Sequence, residues 1–240
     1  MEKIRIVPEG DLAVLVEFEN EISTECNHKV STLNREIINA NIIGVQETVP
    51  TFRSLLIYYD ACVISYGRLV RTLKKLMKQK DVSGSRQQRI IRLPVCYGGK
   101  YGVDMADVCS HTGLTEDEVI KLHTEPDYLI YMLGFLPGFP YLGGLDKRLI
   151  TPRLENPRTV IPAGAVGIGG EQTGVYPLAS PGGWRLIGQT PVCLYDAERE
   201  TPILYKAGDM IHFYAIGEEE YLGIEQQVRE GSFPYESLYV

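Results

Sequence analysis

Apolar residues along the first eighty positions follow two different periods. Short β-type runs at Ile4-Arg5-Ile6-Val7 and Leu12–Phe18 are joined by the turn residues Pro8-Glu9-Gly10-Asp11. The period then lengthens: Cys26, Val30, Leu33 and Ile37 recur at i, i+4, i+7 and i+11, one face of a helix. Ser23 is placed to cap that helix, Glu25 lies in its favourable first turn, and Gly44 falls beyond its end. Two more β-runs, Val45–Val49 and Ser54–Tyr59, flank Pro50-Thr51-Phe52. A second amphipathic helix is expected from about Ser65 to Gln79. Its apolar face is Tyr66, Leu69, Val70, Leu73, Leu76 and Met77, and its other face is Arg68, Arg71, Lys74, Lys75 and Lys78. The order ββαββα predicts a small α+β sandwich over residues 1–80, with both helices on one face of an antiparallel sheet.

Residues 81–89 are polar and aperiodic, and they read as a linker. Beyond them Ile90–Val95 is a strand, Gly98-Gly99 turns into a short helix near Asp104–Ser110, and Thr115-x-x-Glu118 has the form of a capping box opening a helix to about Leu122. Tyr128–Phe135 reads as a buried strand. From there to residue 223 only short β-runs are expected: Thr159–Ile161, Ala165–Gly169, Gly174–Tyr176, Trp184–Thr190, Ile203–Leu204 and Met210–Ile216. Closely spaced strands with Gly/Pro turns predict a β-barrel or sandwich over residues 90–240, ending in an ordered extension from Gln226. The expected class is therefore α+β in two domains.

Two glycine- and proline-dense blocks interrupt this pattern, Leu133–Gly144 and Ile161–Trp184. Flexible linkers mix glycine with Ser, Glu and Lys; here it is mixed with Phe, Tyr, Leu, Ile, Val and the single Trp. Glycine admits close backbone approach and proline fixes φ, so the blocks predict rigid, irregular walls around a ligand.

At 44% hydrophobic and 23% charged, the composition is that of a globular protein. No apolar run reaches the roughly 18 to 20 residues that span a bilayer. Met1–Ile6 has no signal-peptide core, and five scattered cysteines form no CxxC; the expectation is a cytoplasmic chain with reduced thiols and no membrane attachment. The net charge of −7 is uneven: residues 1–89 carry 13 Lys and Arg against 11 Asp and Glu, and residues 90–240 carry 11 against 20. Such a balance argues against nucleic-acid binding. From Lys147 to Arg185 the sign reverses locally, with five basic and two acidic residues. That reversal is either chance with local ion pairing or an anion-accepting pocket.

Common catalytic motifs are absent: there is no P-loop, HExxH or GxSxG, and Gly167-Ile168-Gly169-Gly170 opens no GxGxxG. His28, His111, His123 and His212 lack metal-ligand spacing. His123 stands out because it ends the capped helix just before the first block. Arg153 and Arg158 frame a proline-stiffened segment. Their guanidinium forks are either pre-aimed at a carboxylate or phosphate, or bridge loops by pairing with Glu155 and Asp146. Gln172, Thr173, Tyr176, Ser180, Trp184 and Arg185 supply the polar groups that orient a small ligand in an apolar pocket, and Ser180 is assigned to binding or structure rather than nucleophilic attack.

At these residues the chain resembles a known family. Gly134–Leu142, Thr151-Pro152-Arg153 with Pro157-Arg158, Pro162–Pro177 and Ser180–Trp184 are similar to the signature of the 5-oxoprolinase B subunits, also called PxpB or KipI and allophanate hydrolase subunit 1-like. The resemblance spans nearly the whole chain, with weaker matches at Gly10-Asp11, Val49-Pro50 and Gly208-Asp209. It implies a cyclophilin-like β-barrel after the small N-terminal domain. It further implies a cytoplasmic protein that works with a KipA-like C subunit and a LamB/YcsF-like A subunit to open 5-oxoproline (pyroglutamate), a lactam, to glutamate. ATP and Mg²⁺ would act at a site shared with the C subunit. On that reading Arg153, Arg158 and Arg185 stabilise phosphoryl charge. His123 serves as proton shuttle or hydrogen-bond donor, Gln172, Thr173 and Tyr176 orient substrate, and Phe135 and Trp184 form walls. The same family includes inhibitors of a sporulation sensor histidine kinase, so a non-catalytic binding module is the alternative it implies. A cyclophilin-like barrel does not imply prolyl isomerase activity.

Overall fold

The structure, a computed structural model, describes residues 4–20, 23–78 and 89–240. The chain divides into two compact units, Met1–Gln87 and Gln88–Val240. The expected linker at 81–89 lies outside the described residues except for Arg89, whose guanidinium reaches the buried Asp209 carboxylate at 2.6 Å.

In the first unit the strands β1 (Arg5–Glu9), β2 (Ala13–Glu17), β3 (Val45–Pro50) and β4 (Ser54–Tyr59) form an antiparallel sheet in the order β1-β2-β4-β3. Pro8 is tolerated because β1 is an edge. Helices α1 (Thr24–Ala40) and α2 (Tyr66–Leu76) bury Cys26, Val30, Leu33, Ile37, Leu69 and Leu73 against Val14, Val16, Leu55 and Ile57 of the sheet. Ser23 caps α1 by accepting from the Cys26 N–H at 3.2 Å. Asn41, in the left-handed region at φ 42°, ends it ahead of Gly44.

The second unit opens with β5 (Ile90–Tyr97) and helices α3 (Met105–Thr112) and α4 (Glu116–Thr124). Strands β6 (Asp127–Leu133) and β7 (Pro140–Gly143) follow, then β8 (Arg158–Ile161), β9 (Ala165–Gly169), β10 (Gln172–Val175), β11 (Ser180–Gly182), β12 (Arg185–Gln189) and β13 (Met210–Ala215). Seven strands close a barrel in the order β10-β7-β6-β13-β5-β12-β9, with β5 and β13 its parallel pair; β8 and β11 form a separate two-stranded flap. Ile91, Leu93 and Val95 point inward from β5 and meet Ile130, Leu142, Val166, Ile168, Ile187 and Phe213 in the barrel core.

The α+β class, the closed barrel and the strand at Ala165–Gly169 agree with the sequence reading. Four details differ. Helix α5 (Glu218–Arg229) fills a stretch expected to be β and tail. β7 and β11 are strands that the Pro/Gly content concealed, and Ile203 makes a single bridge to Tyr195 instead of a strand. The strand from Tyr128 ends at Leu133, because Phe135 adopts φ 66° and the Leu136 N–H donates to the Gly134 carbonyl at 2.8 Å, closing a γ-turn.

The α4 cap is reciprocal: the Thr115 hydroxyl accepts from the Glu118 N–H at 3.3 Å while the Glu118 carboxylate accepts from the Thr115 N–H at 2.8 Å. Those bonds hold Glu118 below its usual carboxylate range. Because α4 carries His123, the cap fixes a barrel residue as well as a helix end. Thr115→Ala is expected to cost about 1 kcal/mol in urea unfolding, with Thr115→Ser close to wild type.

Candidate functional site

Three glycines explain the second glycine/proline block. Strands β9 and β10 are buried on both sides, with Val166, Ile168 and Val175 facing the barrel core. The opposite side carries Gly167, Gly169 and Gly174. A Cβ added at Gly169 would lie 2.4 Å from the Trp184 indole nitrogen, one at Gly174 3.0 Å from its ring, and one at Gly167 3.3 Å from its Cβ. The glycines therefore form a floor without side chains on which the indole rests.

Around that floor lies a second, smaller core of Phe139, Ile161, Ala165, Tyr176, Trp184 and Leu186. Phe139 meets Tyr176, Trp184 and Tyr141 edge-to-face at 5.2, 5.5 and 5.1 Å, and the exposed ring of Phe135 packs on it at 5.7 Å. These are favourable quadrupole geometries. Phe135 is 63% exposed in a backbone conformation that costs a non-glycine residue roughly 1–3 kcal/mol, so the γ-turn displays its ring at the edge of the cluster. Burial pushes the Tyr176 hydroxyl up to about 12, opposed by a hydrogen bond to the Trp184 backbone and the positive charges of Arg153 and Arg158. Tyr176 is thus a neutral phenol facing two arginines.

The three arginines separate into different roles. Arg158 donates to buried Asp104 at 2.6 Å, whose other oxygen accepts from the Leu186 N–H at 2.7 Å. Arg185 pairs with Asp107 at 2.5 Å and donates to the Pro152 carbonyl at 3.4 Å. Of the two readings of these arginines, bridging by ion pair holds for Arg158, but with Asp104 in place of Glu155 or Asp146, and Asp146 is held by Arg148. Arg153 is exposed, has no carboxylate partner among the described residues, and lies 5.7 Å over the Trp184 ring. Its loop is fixed on both sides, by Arg185 at Pro152 and by the Leu154 N–H on the Gly183 carbonyl at 2.7 Å.

His123 and Thr173 lie in the barrel core, both fully buried. The Thr173 hydroxyl donates to the Gly167 carbonyl at 3.1 Å, so its 2.7 Å contact to His123 Nε2 requires a proton on that nitrogen. Nδ1 then accepts from the Tyr97 hydroxyl at 2.8 Å. The ring stacks on Phe213 at 4.9 Å, and the Tyr128 hydroxyl donates to the His123 carbonyl at 2.9 Å. Burial drives His123 down to about 3. It is therefore a neutral donor that ties α4 to β10 and, through Gly167, to the glycine floor. Next to Thr173, the buried Gln172 amide nitrogen has no hydrogen-bond partner, and neither have the Ser180 hydroxyl and Arg158 Nη1.

The structure thus gathers Phe135, Tyr176, Trp184, Arg153 and Arg158 around one aromatic cluster. Arg185 is a brace for its loop, and His123 and Thr173 lie behind it. Sequence reading missed Tyr97, Asp104, Asp107, Phe139 and Tyr141. Phe139 and Tyr141 belong to the first block and were visible there as aromatics, whereas the other three are distant partners with no local signal.

Comparison with known proteins bears on the whole chain. Residues 4–205 match the family described as carboxyltransferase domain, subdomain C and D. The B subunit of 5-oxoprolinase from Bacillus subtilis strain 168 is 38% identical over 228 residues, covering 91% of this chain and 95% of the relative. That of Haemophilus influenzae is 41% identical, covering 90% and 100%. The chain belongs to the family of 5-oxoprolinase B subunits. Among solved structures, that of TTHA0988 superposes on 85% of the chain with a TM-score of 0.75 at 38% identity, and the match spans 40% of TTHA0988. The Kluyveromyces lactis urea amidolyase, at 23% identity and a TM-score of 0.80, shares the fold over 97% of the chain, which corresponds to 16% of that protein. No helix among the described residues is long and apolar enough to cross a membrane.

Two measurements test this site. An imidazole of lowered basicity is protonated first in the unfolded chain, so His123 supports folding above pH 6.5 and that support is lost as pH falls towards 3. Between pH 6.5 and 4.5, wild type should lose about 2–3 kcal/mol more than His123→Gln in urea unfolding. Gly169→Ala should cost about 1–3 kcal/mol by overpacking and red-shift the emission of Trp184, the chain's single tryptophan.

Proposed function

We propose that the chain is the B subunit of a heteromeric, ATP-dependent 5-oxoprolinase that opens 5-oxoproline to L-glutamate in the cytoplasm. The observation that carries this is the 38–41% identity to 5-oxoprolinase B subunits over nine-tenths of the chain and nearly their full length. A lactam carbonyl resists water, and ATP is consumed to activate its oxygen. Transfer of the γ-phosphoryl group to that oxygen releases ADP; water adds at the carbonyl carbon, the ring C–N bond breaks with the nitrogen leaving as the protonated amine, and a second water hydrolyses the resulting acyl phosphate to carboxylate and phosphate.

This chain supplies a wall of that site. The exposed Phe135 ring and Arg153 form the surface of that wall, where Arg153 offers its guanidinium to carboxylate or phosphoryl oxygens, while the buried Tyr176, Trp184, Gln172 and Ser180 shape the wall from behind. Arg158, neutralised by Asp104, orients the flap strand β8. His123 acts from behind through Thr173 as a positioning residue. Among the described residues no group of three His, Cys, Asp or Glu side chains is arranged to hold a metal ion. ATP with its Mg²⁺ would act at a site shared with a KipA-like C subunit, and the assembly is completed by a LamB/YcsF-like A subunit.

Arg153 is the informative position because its removal breaks no ion pair. In the complex reconstituted from all three subunits, Arg153→Ala should lower kcat/KM for 5-oxoproline at least about tenfold, with Arg153→Lys recovering part and the urea unfolding midpoint unchanged. Full activity of Arg153→Ala would remove its assignment. Absence of 5-oxoproline-dependent ATP hydrolysis by the complex would overturn the function.

A further inference from the structure

The first unit carries a surface that the proposed reaction does not use. At the C-terminal end of α1 a cleft of about 410 Å³ opens between Asn41, Ile42, Ile43, Val63 and Ile64, with Arg68 of α2 on its rim. Two of its lining residues are exposed aliphatics, Ile43 at 81% and Val63 at 51%. Isolated exposed aliphatics need no explanation, but two lining one concavity do.

Beside it runs an unbalanced charge. Helix α2 presents Arg68, Arg71, Lys74 and Lys75 to solvent and contains no acidic residue. No salt bridge from any of the four is formed among the described residues, although ion pairs occur elsewhere in the unit, as at Arg5–Glu17 and Lys29–Glu19. Four unpaired cations on three turns repel one another, a cost that an anionic partner removes. The chain as a whole is acidic at −7, so this strip is a local feature and not part of a broad basic field.

We propose that this end of the first unit docks an acidic amphipathic helix of a partner protein. Leucine-type side chains on one face of that helix fill the cleft, and carboxylates on its flank meet Arg68, Arg71 and Lys74. A concave cleft that sets Ile42, Ile43, Val63 and Ile64 beside polar Asn41, Thr72 and Arg68 suits an amphipathic helix, apolar on one face and charged on its flank. A lipid surface would favour a convex apolar face, and a nucleic acid would need a larger cationic footprint. The charges steer the encounter and the cleft supplies the buried anchor.

The test uses the full chain, ¹⁵N-labelled, with three probes. These are a synthetic 16-residue amphipathic peptide with a Leu stripe flanked by Glu, the same peptide with Lys for Glu, and phosphatidylglycerol vesicles. The Glu peptide should bind with shift changes confined to the residues of the cleft and α2. Ile43→Asp and the double variant Arg68→Glu/Lys74→Glu should each weaken it at least about tenfold, equivalent to about 1.4 kcal/mol. The charge-reversed variant should in turn bind the Lys peptide. All these residues are exposed, and retention of the dispersed amide shifts of the first unit's sheet, β1 to β4, verifies folding of the variants. Equal binding of both peptides, shifts that map elsewhere, stronger binding to vesicles, or self-association of the chain through this face would each overturn the proposal.

Discussion

The contact between the Trp184 indole and the floor formed by Gly167, Gly169 and Gly174 is the constraint on which the second unit's functional face depends. A barrel strand normally shows one side to its core and the other to solvent. Here β9 and β10 are covered on both sides, so their outward positions must admit an aromatic ring against bare backbone. Glycine is the residue that permits this approach, and it does so at the cost of strand propensity. The strands are stabilised instead by Val166, Ile168 and Val175 inside and by the aromatic cluster outside.

From that contact the remaining geometry follows. With the indole fixed, Phe139 and Tyr176 pack edge-on to it, and Ile161 of the flap strand closes the same core. The flap is tied back to the barrel by Arg158 and Asp104, and Asp104 in turn holds the backbone of β12 at Leu186. Because Asp104 is buried, breaking this pair strands a charge, and the pair acts as a rigid strut more than as a source of stability. Arg185 performs a similar service for the Arg153 loop. Two of the three arginines in the block are thus consumed by architecture, and the third is left over the indole with its charge available.

Much of this was legible in the sequence, and the failures have physical causes. Period and capping residues located α1, α2 and α4 because their buried faces are regular and Ser23 and Thr115 are unambiguous caps. Helix α5 was not visible: it buries only Tyr221 fully and contains Gly223, which weakens a helix by roughly 1 kcal/mol, so neither period nor propensity marks it. β7 and β11 contain Pro140, Pro181 and Gly182, residues that ordinarily demote a strand, and their pairing is imposed by the barrel and flap. The glycine/proline blocks did announce rigid walls and a basic locality. They did not announce which arginine is free, because Asp104 and Asp107 come from a helix some fifty to eighty residues earlier.

His123 lies deeper than its place in the sequence suggests. Its position after the capped helix pointed towards the site, and the structure places it behind the site's floor. Two hydrogen bonds and stacking on Phe213 leave both ring nitrogens occupied. A proton taken up there would have to displace the Tyr97 hydroxyl inside an apolar barrel, and burial holds the ring neutral across the physiological range. What His123 controls is orientation: Thr173 can receive from Nε2 only by donating to Gly167, and Gly167 is part of the surface beneath the indole. The polar chain from Tyr97 through His123 and Thr173 to Gly167 therefore sets the height of the floor. The aromatic face inherits its shape from a hydrogen-bond sequence that lies wholly behind it.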